Sequence, residues 1–182
     1  MKGKVRIIGG QWRGRKLEVP DKPGLRPSSD RVRETLFNWL TMHLPESRCL
    51  DLFAGSGALG IEAISRGAKQ ALLVEKERDI VQDLKRQVTT LATNKVEIIC
   101  ANALAFLKKT ASAFDIVFLD PPFDSDLLSQ SCILLEQRGW LNPHALMYLE
   151  MKRGLTPNLP DNWQIIRQQT AGHVAFFLAQ KK

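Results

Sequence analysis

Leu50-Asp51-Leu52-Phe53-Ala54-Gly55-Ser56-Gly57-Ala58-Leu59-Gly60 is the stretch that decides the fold of this chain. An apolar strand carries an aspartate, Asp51, to its tip; the chain then breaks at Gly55-Ser56-Gly57 and restarts as an apolar helix. Open α/β sheets bind small molecules at such a place, the carboxyl end of a parallel strand. Gly55-x-Gly57-x-x-Gly60 also fits the dinucleotide fingerprint, which on its own is a weak signal. Asp51 separates the two ligands. A carboxylate at the strand tip accepts hydrogen bonds from a cationic α-amino group, which S-adenosylmethionine carries and NAD lacks. Glu75 ends the next strand-like run and offers two oxygens to ribose hydroxyls, while Asn102-Ala103 follows the third run, where an amide and a backbone N–H suit an adenine edge. Phe53, Ala54 and Lys76, neighbours of these positions, complete the expected cofactor-binding set with Asp51, Gly55 and Gly57.

Outward from this stretch the chain alternates. Residues 48–53, 70–75, 95–100, 114–120 and 145–151 read as strands, and 58–67, 77–92, 102–110 and 125–139 as helices. Strands spaced by helical patterns imply right-handed crossovers and a parallel sheet clad by helices. At the end, 163–170 and 173–180 flank Ala171-Gly172, and so short a turn requires an antiparallel pair. The expectation is therefore an α/β protein with a seven-stranded, mostly parallel, Rossmann-like sheet closed by an antiparallel hairpin, as in class I methyltransferases. Before it, residues 4–19 read as a hairpin turning at Gly9-Gly10, and residues 20–27, with three prolines, as an irregular crossing. A helix follows, capped by Ser28, Ser29 or Asp30, with Val32, Leu36, Trp39 and Leu40 on one face. The domain reading is a basic extension over 1–45, for RNA contact and cofactor cover, and a methyltransferase domain over 46–182.

Asp120-Pro121-Pro122-Phe123 closes the fourth strand, which is expected to border the first and open onto the same cleft. As a strand terminator the motif is ordinary. Beside the glycine loop it acquires a chemical use. The exocyclic amino group of a base is a poor nucleophile because its lone pair is delocalised into the ring. Acceptors aimed at its hydrogens, the Asp120 carboxylate and the Pro121 carbonyl, return density to nitrogen and orient the lone pair. The prolines hold both acceptors in advance, and Phe123 presents a face on which an extruded base stacks. Asp120 can also accept the released proton.

The 182 residues carry a formal charge of +7. Its placement is informative: residues 1–33 hold ten Lys/Arg against Glu18, Asp21 and Asp30, and the remaining residues hold 16 of each sign. A cationic extension on a neutral body suits a phosphate backbone. Val5, Ile7, Ile8, Trp12, Leu17 and Val19 interleave with the charges, so the extension reads as folded. Arg13, Arg15, Lys16, Arg26, Arg31 and Arg33 are the candidate RNA contacts. Cys49, Cys100 and Cys132 are scattered and three in number, which argues for reduced thiols in the cytoplasm and against zinc. His43, His144 and His173 show no ligand spacing, no metal is expected, and no apolar run reaches the roughly 20 residues of a membrane helix.

VRIIGGQWRGRKL, GLRPSSDRVRETLFNWL, LDLFAGSGALGIEA, DPPF and AGHVAF together resemble the bacterial 16S rRNA guanine-N2 methyltransferases, over residues 5 to about 178. The two N-terminal blocks are more specific than the glycine loop, which many methyltransferases share. The resemblance implies S-adenosylmethionine as methyl donor and 16S rRNA of the small ribosomal subunit as partner; a monomer is a separate expectation. It carries Asp51, Gly55, Gly57, Glu75 and Asn102 over as cofactor positions and Asp120 to Phe123 as the base-handling loop. Arg26, Ser28, Ser29, Arg31 and Arg33 match the pre-helix block that meets cofactor or RNA. One departure stands out: a YxExE-like run is expected, but the chain reads Tyr148-Leu149-Glu150-Met151-Lys152. Competing readings are an amino methyltransferase on adenine or protein glutamine, whose loops usually begin with Asn, a nucleotide-dependent oxidoreductase, which leaves the DPPF motif unexplained, and a non-catalytic ribosome-assembly factor.

Overall fold

The structure, a computed structural model, describes residues 3–19, 29–123 and 125–182. Strands β3 (Arg48–Asp51), β4 (Gln70–Glu75), β5 (Val96–Cys100), β6 (Phe114–Leu119), β7 (Leu141–Lys152), β8 (Trp163–Ala171) and β9 (Val174–Lys181) form one sheet in the order β5-β4-β3-β6-β7-β9-β8. The first five are parallel; β9 runs antiparallel to both β7 and β8. This is the arrangement expected from the sequence. Its strand order reverses between β3 and β6, and that switch point opens a crevice above the carboxyl ends.

Alternation along each strand feeds two apolar layers. Cys49, Leu73, Ile116, Phe118, Leu146 and Tyr148 face the layer under α1 (Asp30–Leu40), α2 (Ala58–Ser65) and α3 (Arg78–Thr90). Leu50, Leu72, Val74, Val117, Leu119 and Met147 face the other layer, under α4 (Ala103–Leu107) and α5 (Leu127–Gln137). Helix α2 is buried along its whole length, whereas α3 buries only Ile80, Val81, Leu84 and Val88, the stripe that its periodicity predicts. Strand β7 starts four residues earlier than the sequence suggests. It accommodates Pro143 and His144, whose φ is 62°, by a register shift against β6 between Phe114 and Ile116. The last hairpin turns at Gly172-His173, between the ends of β8 and β9.

The N-terminal hairpin differs from expectation. Strands β1 (Gly3–Arg6) and β2 (Lys16–Val19) pair from Gly3↔Val19 to Arg6↔Lys16, so residues 7–15 link them rather than a tight turn at Gly9-Gly10. The linking segment docks on α2. Ile8 and Gly9 donate their backbone N–H groups to the Glu62 carboxylate, each at 2.8 Å, and Trp12 N–H donates to Ser65 Oγ at 3.0 Å. Gly10, at φ 75°, lies so close that a Cβ would fall 1.7 Å from the Ser65 carbonyl oxygen. Ser29 caps α1, its Oγ accepting from Val32 N–H at 3.3 Å. Val5, Ile7, Trp12, Leu17 and Val19 share one buried cluster with α1 and the sheet, so no break in the core falls at residue 45. The expected crossing over 20–27, with Arg26 and the alternative cap Ser28, lies outside the described residues.

Candidate active site

Three carboxylates end three neighbouring strands. Asp51 ends β3 and Glu75 ends β4; Asp120 follows β6 directly. Asp51 pairs with Leu73 on one side and Phe118 on the other, so the three acids flank the switch point within about two residues' rise of one another.

Asp51 is 2% exposed, and its Oδ2 accepts Gly60 N–H at 3.0 Å. Burial pushes its carboxyl up to about 7; the donated Gly60 and Phe53 N–H groups oppose the shift, and the Glu75 charge adds to it. A buried acid raised in this way gains from a cation brought beside it. The backbone is shaped for close approach: Gly57 sits at φ 74° where α2 begins, and a Cβ there would press on Leu84 at 2.7 Å. A Cβ on Gly60 would meet Leu73 at 2.6 Å, so glycine is what lets α2 lie near enough to reach Asp51.

Glu75 accepts Gly55 N–H at 3.0 Å through Oε2 and Glu77 N–H at 2.9 Å through Oε1. Each oxygen has a second acceptor direction, so both remain able to take a diol while the carboxylate is held fixed. Asn102 has a structural role as well: its Oδ1 caps α4 by accepting Ala105 N–H at 3.1 Å, which leaves its amide N–H₂ and the Ala103 backbone for a ligand. Phe53 is half-buried, Ala54 is buried, and Lys76 is exposed with Nζ 3.9 Å from Glu77. In the base-handling loop Pro121 is buried, Pro122 is exposed, and Ser125 Oγ–H donates to the Pro122 carbonyl at 2.6 Å. Phe123 leaves 41% of its surface open.

Among the candidate RNA contacts, Arg13, Arg15, Lys16 and Arg31 are exposed. Arg15 and Lys16 line a groove of about 610 Å³ between β2 and α3, opposite Asp83, Arg86 and Gln87. Arg33 is a correction. It is 1% exposed, and its Nη2 donates to Asp30 at 2.7 Å and to the Arg6 carbonyl at 2.8 Å while Nη1 stands 3.6 Å from Glu62. Buried under the hairpin, it ties α1 to β1 and α2 and offers no charge to RNA. Its partner Glu62, 0% exposed, is not among the residues that the sequence singles out; the signal for it is a single acid within the apolar run Ala58–Ser65. A second feature that only the fold reveals is Tyr148, whose hydroxyl donates to Glu150 Oε2 at 2.7 Å inside β7. The thiols of Cys49 and Cys132 are buried and pushed up to about 12, so neither is a nucleophile at neutral pH. Among the described residues no His/Cys/Asp/Glu group is placed to hold a metal, and no helix is long and apolar enough to cross a membrane.

Comparison with known proteins agrees over nearly the whole chain. The family model described as Conserved hypothetical protein 95 matches residues 5–180. The Ribosomal RNA small subunit methyltransferase D of Escherichia coli is 50% identical over 99% of this chain and 91% of its own. That of Haemophilus influenzae is 46% identical over 98% of this chain and 95% of its own. The solved structure of yhhF from Escherichia coli matches with a TM-score of 0.92 at 48% identity, covering 99% of both chains.

Proposed function

This chain belongs to the Conserved hypothetical protein 95 family, and on that premise we propose that it methylates the exocyclic N2 of a guanine in 16S rRNA of the small ribosomal subunit. It is an S-adenosylmethionine-dependent rRNA methyltransferase with the Rossmann-like fold of its class. The observation that carries the finer reading is the row of acids, Glu75, Asp51 and Asp120, across the switch point. The residues fit the donor. Asp51, buried beneath Gly60, suits the α-amino group, and Glu75 suits the ribose diol. Asn102 N–H₂ and the Ala103 backbone suit the adenine edge. S-adenosylmethionine, when bound, supplies an electrophilic methyl group on sulfonium sulfur.

The chain's own residues then prepare the amine. Asp120 and the Pro121 carbonyl accept the two N2 hydrogens, which turns the nitrogen lone pair away from the ring and toward the donor side of the crevice. Phe123 stacks on the extruded base and fixes its plane. As N2 becomes cationic, Asp120 takes the excess proton, and alignment of the two reactants supplies much of the rate. Arg13, Arg15, Lys16 and Arg31 contact the phosphate backbone, with Arg26 in the same role, and the extension over 1–45 also covers the cofactor. The protein works as a cytoplasmic monomer.

Incubation with labelled S-adenosylmethionine and small subunits that lack the modification, followed by nucleoside analysis, tests this reading. N2-methylguanosine is expected; methyladenosine or labelled protein would select the competing amino methyltransferases. Asp120→Ala should abolish transfer while leaving uptake of S-adenosylmethionine intact. Joint loss of both would mean that Asp120 shapes the cofactor site instead of receiving the target amine.

A further inference from the structure

Glu150 takes no part in the chemistry above, yet it stands beside it. Strand β7 pairs with β6 through Phe118↔Tyr148 and Leu119↔Leu149, and Asp120 and Glu150 are the next residues of the two chains, just past the end of that ladder. Alternation returns both acids to the face of the sheet where the Phe118 and Tyr148 rings meet at 6.5 Å and where Asp51 pairs with Phe118. Glu150 is 5% exposed, and the Tyr148 hydroxyl holds its Oε2 at 2.7 Å. Its opposite neighbour on β9 is Phe176, which stacks on Trp39 at 5.3 Å. Aromatic residues therefore flank Glu150 on its own strand and on β9, and the Tyr148 hydroxyl is one group that orients its carboxylate.

Resting on the guanine-N2 reading, we propose that Glu150 is a specificity-determining residue that accepts the ring N1–H of the target guanine. Guanine presents N1–H and its N2 hydrogens along a single edge, a run of donors. Two acids on strands about 4.8 Å apart match such a run: Asp120 takes an N2 hydrogen and Glu150 takes N1–H. Adenine and 2-aminopurine present an N1 lone pair at the corresponding place, and a carboxylate repels it. A site built to accept a hydrogen bond rejects analogues that lack the donor far more strongly than an apolar pocket could. Glu150 thereby gives the enzyme a reason to refuse other amino-bearing bases that Asp120 and Pro121 would admit.

The experiment compares two substrates: small subunits with the native guanine, and small subunits assembled with 2-aminopurine at the position where the wild-type product maps. Glu150→Gln preserves volume, and its amide can turn an N–H toward an unprotonated N1. The preference for guanine, as a ratio of kcat/KM values, should fall roughly 10- to 100-fold in the variant, with S-adenosylmethionine affinity and melting temperature unchanged. Taking the change in ratio cancels the different intrinsic reactivity of the two amines. An unchanged ratio overturns the proposal. If Glu150→Gln does not fold, Tyr148→Phe carries the test, since it keeps the carboxylate but removes the hydroxyl that aims it. A smaller fall in the same ratio is then expected, and an unchanged ratio again overturns the assignment. Absence of any methylated guanine with the wild-type enzyme would instead overturn the guanine-N2 reading, and this inference with it.

Discussion

Asp51 shows how one buried acid couples ligand binding to pH. Its carboxyl is raised to about 7 in the folded chain, well above its value in an unfolded one. The folded state then holds the proton more tightly, so the stabilisation is complete below the unfolded value and is lost as pH climbs through the interval to about 7. Binding of the donor's ammonium runs the other way, because it requires the ionised form. Affinity for S-adenosylmethionine should therefore rise by up to about eightfold between roughly pH 6 and 7.5, the growth in the ionised fraction of Asp51, measured by calorimetry at constant ionic strength. Asp51→Asn should weaken binding by roughly 10- to 100-fold and flatten this dependence. A variant that kept the slope would show that a group other than Asp51 carries it.

At the scale of elements, the joint between the N-terminal hairpin and α2 is made by Glu62. Its fully buried carboxylate gathers two part-buried backbone N–H groups, Arg66 Nε at 2.7 Å and the nearby, buried Arg33 guanidinium. Removing the acid leaves part-buried donors and the buried Arg33 cation without this counterpart, a change that costs about 3–5 kcal/mol. Glu62→Ala should lower stability by that order in chemical denaturation, with amide exchange accelerating first at Ile8 and Gly9. Retained protection at both amides would show that apolar packing alone holds the hairpin. This joint also lies beyond what local sequence can show. The parallel strands and α3 are legible because short continuous apolar runs and a 3.6-residue period are local properties of the chain. The true hairpin connection is not, because Gly9-Gly10 carries a tight-turn signal that contacts 53 residues away in α2 override. Arg33 misleads for the same reason: an arginine in a basic stretch looks solvated until its partner Glu62, distant in sequence, is brought over it. Asp51, Glu75 and Asp120 are legible as strand-end acids, while the pairing of Tyr148 with Glu150 needs the fold to show that the two side chains touch.

Over the whole molecule, the positive charge is unevenly distributed and not all of it is available. Arg33 is consumed inside, whereas Arg13, Arg15 and Lys16 stand exposed on the hairpin. The hairpin is clamped to α2, the helix that follows the glycine loop, so these cations are held in fixed relation to the crevice rather than carried on a free tail. If they track the phosphate backbone while the base is turned into the crevice, replacing all three by alanine removes up to three phosphate contacts. The slope of log K against log salt for small-subunit RNA should then shrink by about 2 to 3, since each contact contributes roughly 0.7–0.9. Turnover at saturating RNA should be spared, because the acids at the strand ends are untouched. The decisive control removes equal charge elsewhere: Lys108, Lys109 and Arg138 are exposed at the ends of α4 and α5, on the opposite face of the sheet. Their replacement should leave the slope nearly unchanged. An equal fall in both triple variants would mean that RNA feels only net charge, and the hairpin would then have no claim to a specific footprint.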